Sequence, residues 1–235
     1  MKISRIVIPQ TSLRLNLMVV CETVLLLLLS LSVLLYFSRQ ALKDEAFRDA
    51  EESLEGTVQH VDNILLSVEQ TAYNIYEDLQ YHLDEPDRMS VYCREAVENN
   101  PYVVGCAVAF VPNYYANHDL FMTYVHKNVS SKNGDSLTVS DHYGSRPYTE
   151  HVWYTSSISG GHALWTDPLP DEEGEGVTLS LCIPIYKKGE KNPIGVMALD
   201  VPVAIISQII LDSKPFRHSY SVMLSRDGTF IVHPN

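Results

Sequence analysis

The sequence predicts an α+β protein in which helices are segregated from an antiparallel sheet. Three observations carry that prediction. A long apolar run leads into a heptad pattern free of proline up to Leu83. The texture then changes to short β-branched runs bounded by turn signals. Helical and strand patterns come in blocks rather than in alternation, which disfavours a parallel βαβ array.

The elements follow in order. Residues 1–14 precede the run LNLMVVCETVLLLLLSLSVLLYF, Leu15 to Phe37, whose only charge is Glu22. About 20 apolar residues cross the hydrocarbon core of a bilayer as a helix, so 15–37 is expected to be a transmembrane helix. Lys2, Arg5 and Arg14 place the N-terminus in the cytoplasm and residues 38–235 on the extracytoplasmic side of the inner membrane. A cleaved signal peptide would have a shorter apolar region and a small-x-small cleavage site, and YFSRQA is a poor one. Glu22 lies near the cytoplasmic end, where its carboxylate reaches the interface rather than the costly bilayer centre.

Residues 38–84 read as a stalk helix. Phe47, Leu54, Val61, Val68 and Ile75 recur every seven residues, and Val58, Leu65, Ala72 and Leu79 form the interleaved row. Such a seam packs on the protein's own sheet or pairs with a second copy, making a homodimer through the stalk the expected assembly. Asp84-Glu85-Pro86 breaks the helix, and a second helix starts there and closes at Asn99-Asn100-Pro101.

Strands are expected in YVVGCAVAFVPN (102–113), DLFMTYVHKN (119–128) and SLTVSD (136–141), with SSKNGDS (130–136) as a turn. Glu150 to Ser157 reads as a short helix or a loop. Residues 176–203 read as two strands joined by a Lys/Gly-rich hairpin loop. Gly195 to Leu211 is apolar enough for a second span, but Asp200 and Pro202 favour a buried strand running into a helix. Around Arg226-Asp227-Gly228 two alternating runs form a hairpin, and two strands alone are marginal in water. That hairpin reads as the start of a second unit, and the chain as a fragment that stops inside it.

Composition narrows the function. The first 37 residues hold three basic residues and one acidic residue, leaving 14 Lys+Arg against 28 Asp+Glu in 38–235, a formal charge of −14. Such a surface repels nucleic acid. Cys21 lies in the apolar run, and Cys93, Cys106 and Cys182 lie beyond it. Three cysteines in an oxidising compartment permit one disulfide and one leftover thiol, or three buried thiols.

No spacing matches a zinc site, and His162, His218 and His233 lack metal-ligand spacing. Ser156, Ser157 and Ser159 before Gly160 lack the nucleophile-elbow pattern, and Gly160-Gly161 reads as a turn. DEEGE (171–175) lacks calcium-loop spacing and reads as a solvated loop. No cofactor is expected. An anchored extracytoplasmic hydrolase or a protein-binding structural tether are the alternatives to a small-molecule sensor.

The apolar anchor, the stalk and a sheet domain carrying WY…W…P…P-I…G-V…D in that order together resemble the extracytoplasmic double Cache sensor domain. SRDGTFIVHP resembles the first hairpin of that family's membrane-proximal module. The resemblance implies a PAS-like membrane-distal module over 85–212, the beginning of a proximal module over 213–235, and a small extracytoplasmic ligand such as an amino acid or amine. It also implies an output outside this chain, with histidine kinase or serine/threonine phosphatase favoured, so that no catalytic residue is expected here.

Family members that bind amino acids or amines carry Arg-x-Trp-Tyr and an Asp on the module's last strand. Trp153 and Tyr154 match the pair, and Asp200 matches the acid by position. His151 stands where the Arg would be, which removes the obligate positive fork for a carboxylate. Tyr148 and Arg146 are the candidates to replace it. An ammonium group favours a desolvated carboxylate among aromatic faces, which Asp200, Trp153 and Tyr154 would offer. The alternative is that Trp153 and Trp165 are core and Asp200 caps a turn.

Overall fold

The computed structural model describes residues 10–127, 136–172, 176–214, 216, 219–225 and 228–234. Lys2, Arg5, all of the SSKNGDS turn but its last residue, most of DEEGE, His218 and Arg226-Asp227 lie outside the described residues. The chain forms two units, Met1–Glu52 and Ser53–Asn235.

Helix α1 (Gln10–Leu79) supplies the described part of the first unit. It contains an exposed stretch long and apolar enough to cross a membrane. Leu15 to Phe37 present no buried side chain.

In the second unit α1 continues from Ser53, and α2 (Pro86–Asn99) follows. Pro86 sits at the first turn, where its missing N–H removes no helical bond. Asn100 ends α2 and ties it to α1, its Nδ2 donating to Ser67 O at 3.2 Å and Thr71 Oγ1 at 3.0 Å. The strands are β1 (Gly105–Phe110), β2 (Met122–Lys127), β3 (Leu137–Ser140), β4 (Leu164–Trp165), β5 (Leu169–Pro170), β6 (Val177–Tyr186) and β7 (Pro193–Pro202). Helix α3 (Val152–Gly160) lies between β3 and β4, and α4 (Val203–Asp212) follows β7 directly.

The sheet runs β3-β2-β1-β7-β6-β4, with β5 also on β6, and every pairing is antiparallel. The apolar stretch from Gly195 is therefore a buried strand followed by a helix, as Asp200 and Pro202 indicated. The last described pair, β8 (Met223–Leu224) and β9 (Phe230–Val232), forms a separate two-stranded ribbon.

The period-2 alternation of the central strands splits the core in two. On one face Cys106, Val108 and Phe110 of β1, Leu181, Ile183 and Ile185 of β6, and Met197, Leu199 and Val201 of β7 pack with Val68, Ala72, Ile75 and Leu79 of α1 and with α2. The distal part of the heptad seam thus packs on the protein's own sheet. Phe47, Leu54 and Val58 remain exposed. On the other face Ala107, Ala109 and Ala198 meet Tyr124, Tyr143, Tyr148, Trp153 and Tyr154.

Trp165 belongs to the helix-covered face, where its indole N–H donates to Glu69 Oε1 on α1 at 2.9 Å. Strands β4 and β5, two residues each, are too short for alternation to register in the sequence. The Gly160-Gly161 turn is the αL C-cap of α3, with Gly161 at φ 65° and its N–H on Ser157 O.

Candidate functional site

The face of small residues creates the site. Strand β1 presents Ala107 and Ala109 on this face, beside Tyr124 and Met122 of β2, and β7 presents Ala198 and then Asp200. Removing side-chain volume from the floor leaves room above it, and α3 with the residues before it forms the roof.

Asp200 is buried at the end of that floor. Its Oδ1 accepts from Ser180 Oγ at 2.6 Å and its Oδ2 from Tyr124 Oη at 3.1 Å. Ser180 is itself held by Thr166, which receives its backbone N–H at 3.0 Å. Directly across the ladder from Asp200 stands Gly105. A Cβ there would collide with the Tyr124 hydroxyl and come within 2.9 Å of Asp200 Oδ2. Only glycine leaves space for the Tyr124–Asp200 pair.

Among the described residues no cation pairs with Asp200, and its two partners are neutral hydroxyls. Burial pushes its carboxyl up to about 6; the Ser180 hydrogen bond opposes the shift, the nearby Asp171 adds to it, and the Tyr124 bond opposes it. Burial, with the Asp200 charge next, raises the Tyr124 and Tyr143 hydroxyls, so both are neutral at physiological pH.

Asp200, Tyr124, Tyr143, Trp153, Ala107 and Ala198 enclose a niche of about 10 Å³. That is about the space for one small polar group. The rings meet edge to face, Tyr124 with Tyr143 at 5.2 Å and Tyr143 with Trp153 at 6.4 Å. Tyr143 and Trp153 also wall a second cavity of about 220 Å³, which runs past Arg146, His151, Glu172 and Ser180. Arg146 Nη2 pairs with Glu172 Oε1 at 3.2 Å. His151 is buried, with Nδ1 3.6 Å from the same Glu172 oxygen and, among the described residues, no hydrogen-bond partner for Nε2. Buried polar atoms are seldom left unpaired, so this nitrogen is a candidate contact for a bound molecule.

The structure brings Trp153, Asp200, His151 and Arg146 together around these two cavities. Tyr148 and Tyr154 do not line them. The Tyr148 hydroxyl donates to Phe110 O at 2.6 Å and accepts from Phe121 N–H, and its ring packs on Tyr154 at 5.1 Å. Sequence reasoning missed Tyr124, Tyr143, Ser180, Gly105 and Glu172. Gly105 interrupts an otherwise apolar run, the sole local sign of a close approach. Glu172 belongs to DEEGE, a stretch that its acidity made look like solvated loop.

Residues 89–208 match the family model of the methyl-accepting chemotaxis protein-like first PDC sensor domain. The chain belongs to that family. The resemblance to a Cache sensor thus holds.

Among solved structures, similar folds include the extracellular domain of soHK1S-Z6, described as a histidine kinase (TM-score 0.61, 18% identity, covering 76% of this chain and 67% of that one). Another is the ligand-binding domain of the Pseudomonas aeruginosa PAO1 amino acid chemoreceptor PctB in complex with L-Gln (TM-score 0.58, 18% identity, 79% and 67% covered). A third is the ligand-binding domain of Mlp24 with asparagine (TM-score 0.55, 16% identity, 82% and 73% covered). As a PDC sensor domain, the chain is a ligand-sensing input module.

The raised Asp200 carboxyl makes a pH-dependent prediction for the empty module. A carboxyl with a folded-state value of about 6 against 3.8 unfolded favours the fold fully below pH 3.8. That contribution is lost as pH rises through 6. Asp200→Asn cannot ionise, so between about pH 4 and pH 8 its stability should gain on the wild type by up to about 3 kcal/mol. Urea unfolding at both values checks this; an equal difference at the two pH values would mean that Asp200 is already compensated.

Proposed function

We propose that residues 38–235 lie outside the cytoplasm and that the site around Asp200 binds the ammonium group of a small amino acid or amine. The observation that carries the reading is a buried carboxylate with only neutral partners, facing a niche walled by Tyr124, Tyr143 and Trp153. A primary ammonium supplies the missing charge, three donors, and a fit to the ring faces. The rest of the ligand occupies the larger cavity, where Arg146 and the unpartnered His151 Nε2 meet a carboxylate or other acceptor. The amino acid complexes of PctB and Mlp24 support this ligand class.

The full-length protein, in detergent, should melt higher with one or more members of a panel of amino acids and primary amines, because a ligand specific for the folded state stabilises it by mass action. Asp200→Asn should abolish that rise at pH 8 while keeping the empty protein folded. A panel that leaves the wild-type melt unmoved, or a ligand that stabilises Asp200→Asn equally well, would refute the ammonium site.

The apolar stretch of α1 behind a basic N-terminus supports this topology. It puts the module outside the inner membrane and leaves the output, a histidine kinase or phosphatase in our reading, beyond this chain. Reporters fused after Asn235 distinguish the sides: activity is expected from one that works only outside the cytoplasm, and activity from a cytoplasmic one would reverse the assignment.

Two copies pair through the exposed part of the heptad seam. Phe47 and Leu54 keep 65% and 52% of their surface, whereas Leu65 is partly buried against the module's own apolar cluster. Single cysteines at Phe47 or Leu54, with the native cysteines removed, should cross-link between chains several times faster than at Gln59. Equal rates around the helix would argue against pairing along this seam.

A further inference from the structure

The cavity beyond the niche already holds a carboxylate of the protein's own. Glu172 comes from the segment after β5, and its side chain lines the cavity wall. Its Oε1 pairs with Arg146 Nη2 at 3.2 Å and stands 3.6 Å from His151 Nδ1. Its Oε2 lies against Gly144, where a Cβ would collide with it, and Gly144 sits at φ 64°, in the left-handed region that favours glycine. Gly144, Arg146 and His151 thus make a cradle that fits a carboxylate. The backbone N–H of Glu172 donates to the Tyr143 hydroxyl at 3.4 Å, so a ring that walls the niche is tied to the same residue.

This occupancy matters because the cavity has little else to offer an anion. Arg146 is the one Lys or Arg among the described residues that line either cavity. A carboxylate beside Nδ1 only accepts, so it favours the neutral His151 ring with its hydrogen on that nitrogen, leaving Nε2 a lone pair and nothing to donate. With Glu172 moved away, the hydrogen can sit on Nε2 and donate to a ligand oxygen. The Arg146–Glu172 pair is partly exposed, with 54% and 32% of the two side chains accessible. Water weakens an ion pair at that exposure, so an incoming carboxylate can take the cation over.

We propose that Glu172 is a built-in competitor for the ligand's carboxylate, and that it sets how strongly the site prefers amino acids to the amines that lack one. The inference rests on the ammonium site proposed above and deepens it. An amino acid must displace Glu172 from Arg146 and His151 once its ammonium is on Asp200. An amine leaves the Glu172 contacts as they are.

Matched pairs test this. Each standard α-amino acid with a primary amine is set beside the amine left when hydrogen replaces its carboxyl, such as leucine with isoamylamine and lysine with 1,5-diaminopentane. Dissociation constants for the full-length protein in detergent at pH 8 come from the rise of the melt with ligand concentration. Glu172→Gln should raise the preference for an amino acid over its amine about fivefold, the scale of a partly exposed ion pair. The ratio cancels any loss of ammonium attraction, which both members share, and any change in the stability of the empty protein. In an Arg146→Gln background, where little is left to compete for, Glu172→Gln should move the ratio much less. Should Glu172→Gln fail to fold, Glu172→Asp, which retracts the carboxylate by one methylene, should shift the ratio the same way by less. A ratio left unchanged or lowered, with Asp200→Asn abolishing the binding of both members, overturns the competitor and keeps the ammonium site. Pairs that stabilise neither the wild type nor Glu172→Gln, or that still bind Asp200→Asn, overturn both.

Discussion

Asp200 is the constraint around which the module is arranged. A carboxylate in the middle of a sheet is expensive, and a lone ionised group taken from water into protein meets a penalty of several kcal/mol. The surrounding sequence answers locally. Ser180 on the neighbouring strand and Tyr124 two strands away both donate to it. Gly105 opposite removes the Cβ that would block the second donor. Neutral hydroxyls reduce the penalty without cancelling the charge, and the carboxyl responds by holding its proton to about pH 6. A carboxylate left with only neutral donors among the described residues is the feature that the proposed ammonium site rests on.

The same strands do a second task on their other face. Because side chains alternate, β1 gives small residues to the site and Cys106, Val108 and Phe110 to the core against α1 and α2. Burying large apolar side chains at about 25 cal/mol per Å² holds the sheet to the helices, so the pocket face can be underfilled without loss of the fold. Stability and recognition are thus assigned to opposite sides of one layer. A substitution on β1 or β7 acts on one or the other according to its parity.

Much of this was legible in the sequence. The heptad seam, Pro86, the Asn-Asn-Pro closure and the β-branched runs located α1, α2, β1, β2, β6 and β7, because each is a periodic or steric signal several residues long. Asp200 and Trp153 were legible as a charge and a ring in unlikely settings. The two-residue strands β4 and β5 carry no period at all. Tyr124 and Ser180 sit at ordinary strand positions that only the antiparallel register brings to Asp200, and Tyr143 joins them from the loop after β3. Tyr148 and Tyr154 went the other way. Helix geometry turns successive residues about 100° apart, so Tyr154 lines the aromatic core while Trp153 next to it lines the cavity.

The path from the site toward α1 is short within the second unit. Strand β7 ends at Pro202 two residues after Asp200, and α4 begins at Val203. Its Ile206 and Ile210 pack with Val61 of α1 and with Val232 of the β8–β9 ribbon. A ligand shifts a conformational equilibrium only by its differential affinity for the two states. Here the available difference is the charge itself. Burial raises the Asp200 carboxyl to about 6, a penalty of about 3 kcal/mol for the ionised form, and the proposed ammonium would offset it. In the proposed reading, a ligand that satisfies this carboxylate acts on the strand that leads directly into α4, whose Ile206 and Ile210 pack with Val61 of α1.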